Sequence, residues 1–549
     1  MAPNLCLRTR RGTRPVVLVA PHGGLSERDL WAVPPSAARS NDLHTADLAL
    51  LLAERIDGSA IANEGLDRNH VDLNRIDEVS ERAPALFAAL AAEVDRLLAL
   101  HGRAEVFFVH GWHVVQPRCD IGTGARFADP SAAPAERLTV DRDYLDGRLA
   151  TLRRELARIG VAAGFGDRWP GAHPNNVLQV FRRFSERRFE GDATRLAAGA
   201  RAGRVQAVQL ELGGVLRWPG ALRESFVEAF AATFAAPPVQ APSPHRRRGT
   251  TPGVSAGEAA PVPAQAAGDR PSAGLRFFAP RAGCEGLGLV AGIGPMPGGR
   301  LGGRLLLFPG GPRLVLFTGE ERRADRTRVG ALEIERADDR MRLRFDGHAL
   351  AAADGCGHFR SEAAQLGARV VALRVDLEFA GMGSGFGGVA GFVEFDGERR
   401  EVETRGFSGA PWGGGVPDAA VAETRLAASF GDDLGVTLRV RAGEAVGQRL
   451  NLAGEPGVEL RGAPLAEPRP PHEFSIDVAG RALRCRPGGH LSWLRSQGDG
   501  RHALVTVGVA GCVFDGSPPG TGIFEHTAPV GLATAPREIP GLRAGVKVP

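Results

Sequence analysis

The chain has 549 residues, of which 43% are hydrophobic and 24% are charged, and its formal net charge is +4 at pH 7. One hydrophobic core rarely serves a chain of this length, so we expect two to four domains. The composition is that of an ordinary globular protein. Arginines interleaved with acids give the small net charge, which argues against a nucleic-acid-binding surface.

The cysteines lie far apart in the sequence and form no CxxC pair. The six are Cys6, Cys119, Cys284, Cys356, Cys485 and Cys512. This spacing argues against a zinc ribbon or a disulfide framework and fits a reducing compartment. No apolar run approaches the length of a membrane span, and no apolar signal segment precedes Val16. We therefore expect a cytoplasmic protein without a membrane span.

Residues 1–236 alternate strand-like and helix-like segments, which predicts an α/β domain. The apolar run VVLVA stops at the turn PHGG, which carries His22. Helical spacing follows in HTADLALLLAERI, and a short strand is expected around Ala60. The next segment, APALFAALAAEVDRLLALHG, predicts an amphipathic helix with Pro84 in its first turn and Gly102 at its end.

The later part of this domain contains two more apolar strands that end in polar side chains. The run AEVFFVHGWH carries His110, and VQAVQLELGG carries Glu211. Further helices are expected around 144–159, 193–200 and 219–234. Together with His22, three predicted strands end in side chains capable of chemistry, at the sheet edge where open α/β sheets bind ligands.

The composition changes after this domain. Residues 237–273 are rich in Pro, Ala, Gly and Ser and contain almost no large apolar residue, which predicts a disordered linker. From residue 274 to 549, short alternating segments such as RLVLFTG and RVVALRVDLEFAG are separated by turn residues. This pattern predicts an all-β domain, an antiparallel barrel or sandwich, with enough chain for two stacked barrels.

The polar strand ends suggest a metal-dependent hydrolase. A catalytic zinc takes three protein ligands, typically histidines with a carboxylate, and keeps one position for water. His22 and His110 would supply the nitrogens, and Asp42 or Glu27 the carboxylate. A buried Glu211 would then serve as general base.

Other residues near these segments admit two readings. Arg75 and Arg68 offer forks that could hold a substrate carboxylate, with Asn74 beside Arg75. For Asn74 and Arg75, a structural salt bridge is an equally good explanation. His113 is either an alternative ligand or an ordinary loop residue, and His22 itself could be a capping residue in a turn.

The first half also resembles a known family. PHGG, the Asp42 region, VDLNR, a strand ending in His110, the DIGTG turn and VQLEL occur in the order and approximate spacing of N-formylglutamate amidohydrolases, over about residues 14–236. The resemblance implies a phosphorylase/hydrolase-like fold related to zinc carboxypeptidases, a divalent metal such as zinc, and hydrolysis of an N-acyl amino acid. It makes His22, Asp42 and His110 the ligands. Asn74 and Arg75 would hold the substrate carboxylate, and Glu211 would activate water.

The sequence departs from that family beside His110. The family usually has an acid two residues before this histidine and a serine after it, whereas this chain has Phe108 and Gly111. Loss of an acid that orients the ring lowers metal affinity. The segment HPNNVLQVFRRF also differs from the family's acyl pocket, which argues against N-formylglutamate itself as the substrate and leaves a related N-acyl compound open.

Residues 275–535 resemble the lipocalin-related double-barrel domain of hydroxyneurosporene synthase and AttH-type proteins. The likeness lies in VDLEFAG, VEFDGERREVETRGFSGAPWGG and GTGIFEH. The family's histidine and acid around the tryptophan are missing at Trp412, and protonation of an alkene needs a positioned acid. An apolar ligand could still occupy a barrel lined by aromatic residues. The four candidates are Trp412, Phe407, Phe392 and Trp493.

These patterns predict a metal-dependent amidohydrolase that cleaves the amide of an N-acyl amino acid or a related compound and is joined to a ligand-binding β domain. The alternative is a binding protein with a decayed hydrolase domain and an apolar metabolite in its β domain.

Overall fold

The computed structural model describes most of the chain in separate ranges. They are residues 6–26, 40–125, 134–185, 187–235, 273–279, 287–296, 299–322, 327–381, 386–408, 423–430, 434–441, 444–451, 458–464, 474–478, 481–496, 502–514 and 520–530. Except for residue 273, the predicted linker at 237–273 lies outside the described residues. Within these ranges no helix is long and apolar enough to cross a membrane.

The α/β region, residues 6–235, is built on one mixed seven-stranded sheet. Its strands are β1 (Leu7–Arg10), β2 (Val16–Ala20), β3 (Ser59–Asn63), β4 (Ala104–Gly111), β5 (Arg118–Gly122), β6 (Ala162–Gly164) and β7 (Val205–Leu212). The strand order is β1-β3-β2-β4-β7-β5-β6. The neighbours β3, β2, β4 and β7 run parallel, whereas β1 and β5 pair antiparallel with β3 and β7. The carboxyl ends of β2, β4 and β7 therefore share one edge.

Helices cover both faces of this sheet. They are α1 (Thr45–Ile56), α2 (Ile76–Arg82), α3 (Ala85–His101), α4 (Arg142–Tyr144), α5 (Ala150–Arg158), α6 (Gly191–Arg201), α7 (Gly214–Arg217) and α8 (Ala221–Phe234), with a π turn at Leu145–Leu149 and 3₁₀ turns at Ala135–Arg137 and Val177–Phe181. Along β2, Val16 and Leu18 pack on the side of α1, α5 and α8, while Val17 and Val19 pack on the side of α3 and α6. Burial on both faces explains the uninterrupted apolar sequence of this strand.

The predicted ends of the long helix agree with the structure. Pro84 is the N-cap residue of α3, and Gly102 follows its last turn with φ of 70°. A left-handed φ at this position favours glycine, which lacks the Cβ atom that crowds the backbone there.

The ten-stranded β region, residues 273–408, is antiparallel. Its strands are β8 (Ala273–Ala279), β9 (Leu287–Met296), β10 (Arg300–Pro309), β11 (Leu314–Arg322), β12 (Arg328–Val329), β13 (Leu332–Ala337), β14 (Arg340–Ala352), β15 (Arg369–Ala380), β16 (Phe386–Phe395) and β17 (Glu398–Ser408). An additional pairing of β11 with β14 curls the sheet on itself. Two short helices, α9 (Gly355–Arg360) and α10 (Glu362–Leu366), connect β14 to β15.

The barrel region, residues 423–530, is a closed antiparallel barrel. Its strands are β18 (Glu423–Phe430), β19 (Leu434–Arg441), β20 (Glu444–Asn451), β21 (Val458–Pro464), β22 (Phe474–Val478), β23 (Arg481–Ser496), β24 (His502–Phe514) and β25 (Gly520–Val530). The predicted fold class, an α/β fold followed by all-β structure, is confirmed.

The α/β region and the ten-stranded β region share one hydrophobic core. In the segment between β4 and β5, the backbone N–H groups of Val115 and Gln116 donate to the carbonyl of Thr318, at 2.9 Å and 3.0 Å. The indole of Trp218 donates to the carbonyl of Gln365 at 3.1 Å. The ten-stranded β region therefore packs beside the edge at which the parallel strands end.

Candidate metal centre

The shared edge of the parallel strands collects the polar side chains that the sequence places at strand ends. His22 follows β2, and His110 is the penultimate residue of β4. Glu211 on β7 is the register partner of His110. All three side chains are buried. Because these strands are parallel neighbours, their ends bring together residues that are remote in sequence.

Asp42 reaches the same place from the turn before α1. Its N–H donates to the carbonyl of His22 at 2.8 Å, and its own carbonyl accepts the Thr45 hydroxyl at 2.6 Å. His44 holds a left-handed φ of 63° within this turn. These contacts direct the Asp42 carboxylate toward the ends of β2 and β4.

His22, Asp42 and His110 form a compact buried group. Asp42 Oδ2 lies 3.1 Å from His22 Nδ1 and 3.2 Å from His110 Nδ1. The two imidazole rings meet edge to face, with centroids 4.9 Å apart. One potential ligand atom from each residue lies within 4.8 Å of the others. The three residues could therefore hold one metal ion.

The hydrogen bonds of His22 suit a metal ligand. Its Nε2 lies 2.7 Å from Asp72 Oδ1, so donation to Asp72 leaves the Nδ1 lone pair facing the shared site. Such a carboxylate partner fixes the tautomer and orientation of a ligating histidine. Burial and Arg68 disfavour protonation of His22, but Asp42 and Asp72 outweigh them and raise its pKa. A cation between His22 and Asp42 is thus electrostatically favoured.

His110 lacks the corresponding partner. Its Nε2 is buried and makes no hydrogen bond among the described residues. Burial lowers the pKa of His110, although the hydrogen bond to Asp42 opposes this effect. Phe108, which stands where the resembled family carries an acid, packs instead near Phe181, with ring centroids 5.9 Å apart. Asp42 alone therefore orients the His110 ring among the described residues.

Glu211 lies in an apolar and negatively charged setting. Burial, and then the charges of Asp42 and Asp120, raise the pKa of Glu211 well above its usual range. Gln209 Nε2 donates to Glu211 Oε1 at 2.8 Å. A carboxylate with a raised pKa is a better proton acceptor near neutral pH than an exposed one.

Asp120 stands opposite Glu211 in the antiparallel pairing of β5 with β7. Its carboxylate accepts three backbone N–H groups, those of Asp167 at 2.9 Å, Arg168 at 2.8 Å and Trp169 at 2.6 Å. Asp120 was not among the predicted site residues, although an acid between the apolar Cys119 and Ile121 indicates a buried carboxylate. Asp72, in VDLNR, was not predicted as a hydrogen-bond partner of His22 either.

The two candidate arginines have different surroundings. Arg68 Nη1 lies 3.5 Å from Asp42 Oδ1, and its Nη2 lies 3.8 Å from Asp72 Oδ2. Arg75 is partly exposed, with its Nη1 3.0 Å from His173 Nδ1 and its Nε 3.7 Å from Asp72 Oδ2. Both arginines therefore form a salt bridge with Asp72.

The remaining predicted residues, Asn74, His113 and Glu27, differ in where they lie. Asn74 Oδ1 is buried and has no hydrogen-bond partner among the described residues. His113 is exposed and lies outside the buried group of possible ligands found in the described ranges. Glu27 lies outside the described residues.

Arg217 is a further buried charge beside the centre. Its guanidinium donates to three backbone carbonyls, those of Leu212 at 3.0 Å, Leu43 at 2.6 Å and Trp112 at 3.2 Å. Burial lowers the pKa of Arg217 to about 10, against the opposing charges of Asp42 and Glu211. Its three contacts therefore connect the last residue of β7 with the residues that directly follow β4 and Asp42.

Of the aromatic residues proposed to line a β barrel, Phe392 does not face the interior of its sheet. Phe392 lies under Arg399, whose guanidinium carbon is 3.8 Å from the ring centroid, and near Arg374 at 5.8 Å. It therefore belongs to the charged face of its sheet, and its neighbour Val393 faces the core. Period-two alternation along the strand decides this direction. Trp412 lies outside the described residues.

No family model matches this sequence, and no curated protein matches it. Among solved structures, an N-formylglutamate amidohydrolase from Ralstonia eutropha JMP134 is similar over 43% of this chain and 96% of its own, at 14% identity and a TM-score of 0.30. A putative AttH from Nitrosomonas europaea is similar over 47% and 91%, at 15% identity and a TM-score of 0.31. Kievitone hydratase from Nectria haematococca is similar over 47% and 89%, at 9% identity and a TM-score of 0.31. Similarity this remote carries no argument about activity.

Proposed function

We propose that this protein is a metal-dependent hydrolase that cleaves the amide bond of an N-acyl amino acid or a related compound. The observation that carries the proposal is the convergence of His22, Asp42 and His110, with Glu211 on the neighbouring strand. Two imidazoles and one carboxylate are a ligand set used by catalytic zinc sites. A buried acid beside such a set is the usual source of proton transfer in hydrolysis.

A divalent cation such as zinc fits the donor atoms of His22, Asp42 and His110. When bound, it would supply positive charge that polarises a substrate carbonyl and makes water more acidic. The Asp72 carboxylate keeps the His22 ring oriented through Nε2. Arg217 fixes the chain beside Asp42 by its bond to the carbonyl of Leu43.

Glu211 moves the proton in this proposal. The water oxygen bonds to the acyl carbon while Glu211 accepts a proton from the water. The C–N bond then breaks, and Glu211 returns the proton to the leaving amine, so that the products are a carboxylic acid and a free amino acid. Burial of Glu211 favours the first transfer, because it raises the pKa of the carboxyl group and so strengthens the carboxylate as a proton acceptor.

Arg75 is the better placed of the two arginines to receive a substrate carboxylate. It is partly exposed, whereas Arg68 lies near Asp42 and Asp72 and donates to the carbonyl of Ser40 at 3.0 Å. A guanidinium fork binds a carboxylate through two parallel hydrogen bonds. Asn74 would add a polar contact, and Arg68, whose Nη2 lies 3.8 Å from Asp72 Oδ2, would contribute positive charge.

The test is amine release from a panel of N-formyl and N-acetyl amino acids, including N-formylglutamate, by the full chain loaded with zinc. We expect turnover that a chelator removes and added zinc restores. N-acyl amines without the α-carboxylate are the matched control substrates and should react far more slowly. Protein that holds one zinc per chain but releases no amine from any panel member would overturn the proposal.

The Nε2 of His110, which has no hydrogen-bond partner among the described residues, favours a second candidate, a binding protein whose metal centre has decayed. A histidine without an orienting acceptor loses metal affinity, typically 10- to 100-fold. Metal analysis of the purified chain separates the candidates. The binding protein would retain no stoichiometric metal after dialysis, and it would instead retain an apolar molecule that extracts into organic solvent.

A further inference from the structure

Glu362 crosses from the ten-stranded β region to the α/β region. It lies at the start of α10, and its side chain is completely buried. Its Oε1 accepts the backbone N–H of Asn41 at 2.7 Å. Its Oε2 accepts the backbone N–H of Ser26 at 2.8 Å and the side-chain amide of Asn41 at 3.0 Å.

These three hydrogen bonds hold two places in the connection between β2 and α1, one at Ser26 and one at Asn41. Ser26 lies shortly after His22, and Asn41 directly precedes Asp42. One carboxylate therefore fixes the chain beside two members of the candidate metal centre. A buried carboxylate that accepts three N–H groups is well compensated for its lost hydration.

A second route leads from Glu362 to the centre through side chains. Asn41 Oδ1 accepts the backbone N–H of Arg68 at 3.0 Å, and Asn41 Nδ2 donates to Asp67 at 3.1 Å. Arg68 in turn lies 3.5 Å from the Asp42 carboxylate. The orientation of Asp42 thus depends on Asn41 both through the backbone and through Arg68.

We propose that Glu362 is a positioning residue of the metal centre, so that this centre is assembled from the α/β region and the ten-stranded β region together. The inference rests on the proposed metal binding and goes beyond it, because it assigns the β region a part in setting metal affinity. Residues that orient metal ligands from outside the coordination sphere commonly change affinity 10- to 100-fold.

Glu362→Gln is the informative variant because it preserves the volume of the side chain. Both carboxylate oxygens accept N–H groups, so either orientation of the new amide directs its NH₂ group at another donor. Glu321→Gln is the matched control. Glu321 also joins the two regions, through Gln116 Nε2 at 3.0 Å, but within the described part of the chain none of its hydrogen bonds involves the segment of Asp42.

The experiment titrates the full chain with Co²⁺, followed by its visible absorption, and then with Zn²⁺ in competition. We expect Glu362→Gln to raise the Kd at least about 10-fold and to alter the cobalt spectrum, while Glu321→Gln leaves both unchanged. Thermal unfolding of the two variants without metal measures how much stability each one loses. Similar losses are expected if each residue makes a general contact between the two regions.

Asn41→Ala provides a second approach that leaves Glu362 in place. If Glu362 acts through Asn41, the two changes interrupt one route. A variant that combines Glu362→Gln with Asn41→Ala should then bind cobalt about as weakly as whichever single variant has the lower affinity. Should Glu362→Gln fail to fold, Asn41→Ala alone must show the loss of affinity. Wild-type affinity in Asn41→Ala and in any folded Glu362→Gln would overturn the inference.

The outcomes separate this inference from the proposed function. A wild-type chain that binds metal but cleaves no amide overturns the hydrolase proposal, and the affinities still test Glu362. A chain that hydrolyses amides while Glu362→Gln binds metal normally overturns only the role of Glu362. A wild-type chain that binds neither metal overturns both.

Discussion

His110 and Glu211 are register partners across the parallel strands β4 and β7. On its other side, Glu211 faces the buried acid Asp120 on β5. A possible metal ligand and an acid of raised pKa thus flank each other at a strand edge. This arrangement suggests separate roles, because His110 can donate a lone pair while Glu211 exchanges a proton.

Glu211→Gln should reduce amide hydrolysis at least about 100-fold, since a positioned general base typically contributes 10²- to 10⁴-fold. Zinc content should stay near that of the wild type, because Glu211 is outside the ligand group. Amine release and metal analysis on the same preparation check both statements. The exposed Glu228→Gln, which removes only a surface pair with Arg55, should retain activity. Normal turnover in Glu211→Gln would exclude this base.

His22→Ala should abolish stoichiometric zinc binding, whereas His113→Ala should retain it. His22 belongs to the buried group of possible ligands, and exposed His113 does not. Metal analysis after dialysis, repeated with added zinc, measures both. Loss of zinc in His113→Ala with retention in His22→Ala would reverse the two assignments.

The strand-end residues of the site could be predicted from the sequence because their signal is local. Each apolar run indicates a buried strand, and the polar residue at its end then falls on the ligand-binding edge, as for His22 and His110. Asp42 remained one of two possible carboxylates, since the turn that directs it depends on the left-handed His44. The local sequence pattern could not distinguish Asp42 from Glu27 as the carboxylate ligand.

Other contacts of the site had no local signal. Glu362 meets Asn41 across 321 positions of sequence, and Arg217 meets Leu43 across 174. Both lie in short segments whose own periodicity indicates nothing about their partners. Phe392 was assigned to a barrel lining, but strand alternation places it under Arg399 on the charged face. The face of a strand depends on its register, and a one-residue change reverses it.

His358 should make stability fall with acidification. Burial lowers the pKa of His358 to about 4, although Asp354 opposes this effect. The unfolded chain takes up a proton near pH 6.5, so between that pH and about 4 it binds more protons than the folded chain and becomes favoured. The full loss is roughly 3 kcal/mol. In urea unfolding across this range, His358→Gln should lose less stability than the wild type, and parallel curves would contradict the prediction.

Gly111→Ala should destabilise the protein by about 1–3 kcal/mol. A Cβ atom at this position would lie 2.7 Å from Arg217 Cζ and 3.0 Å from Asp42 Cβ. Arg217 cannot withdraw easily, because three backbone carbonyls hold its guanidinium. Any larger side chain at this position would meet the same obstacle, so this glycine and Arg217 belong together.

Urea unfolding of Gly111→Ala measures this cost, with Gly388→Ala as the control, since a Cβ at Gly388 meets no atom of the described residues within 4 Å. If the clash with Arg217 is the cause, adding Arg217→Ala should cost less in the Gly111→Ala background than in the wild type, because the guanidinium it removes is already displaced. Strictly additive losses would place the strain elsewhere. Zinc affinity should fall with Gly111→Ala as well, since the displaced atoms include the Cβ of Asp42.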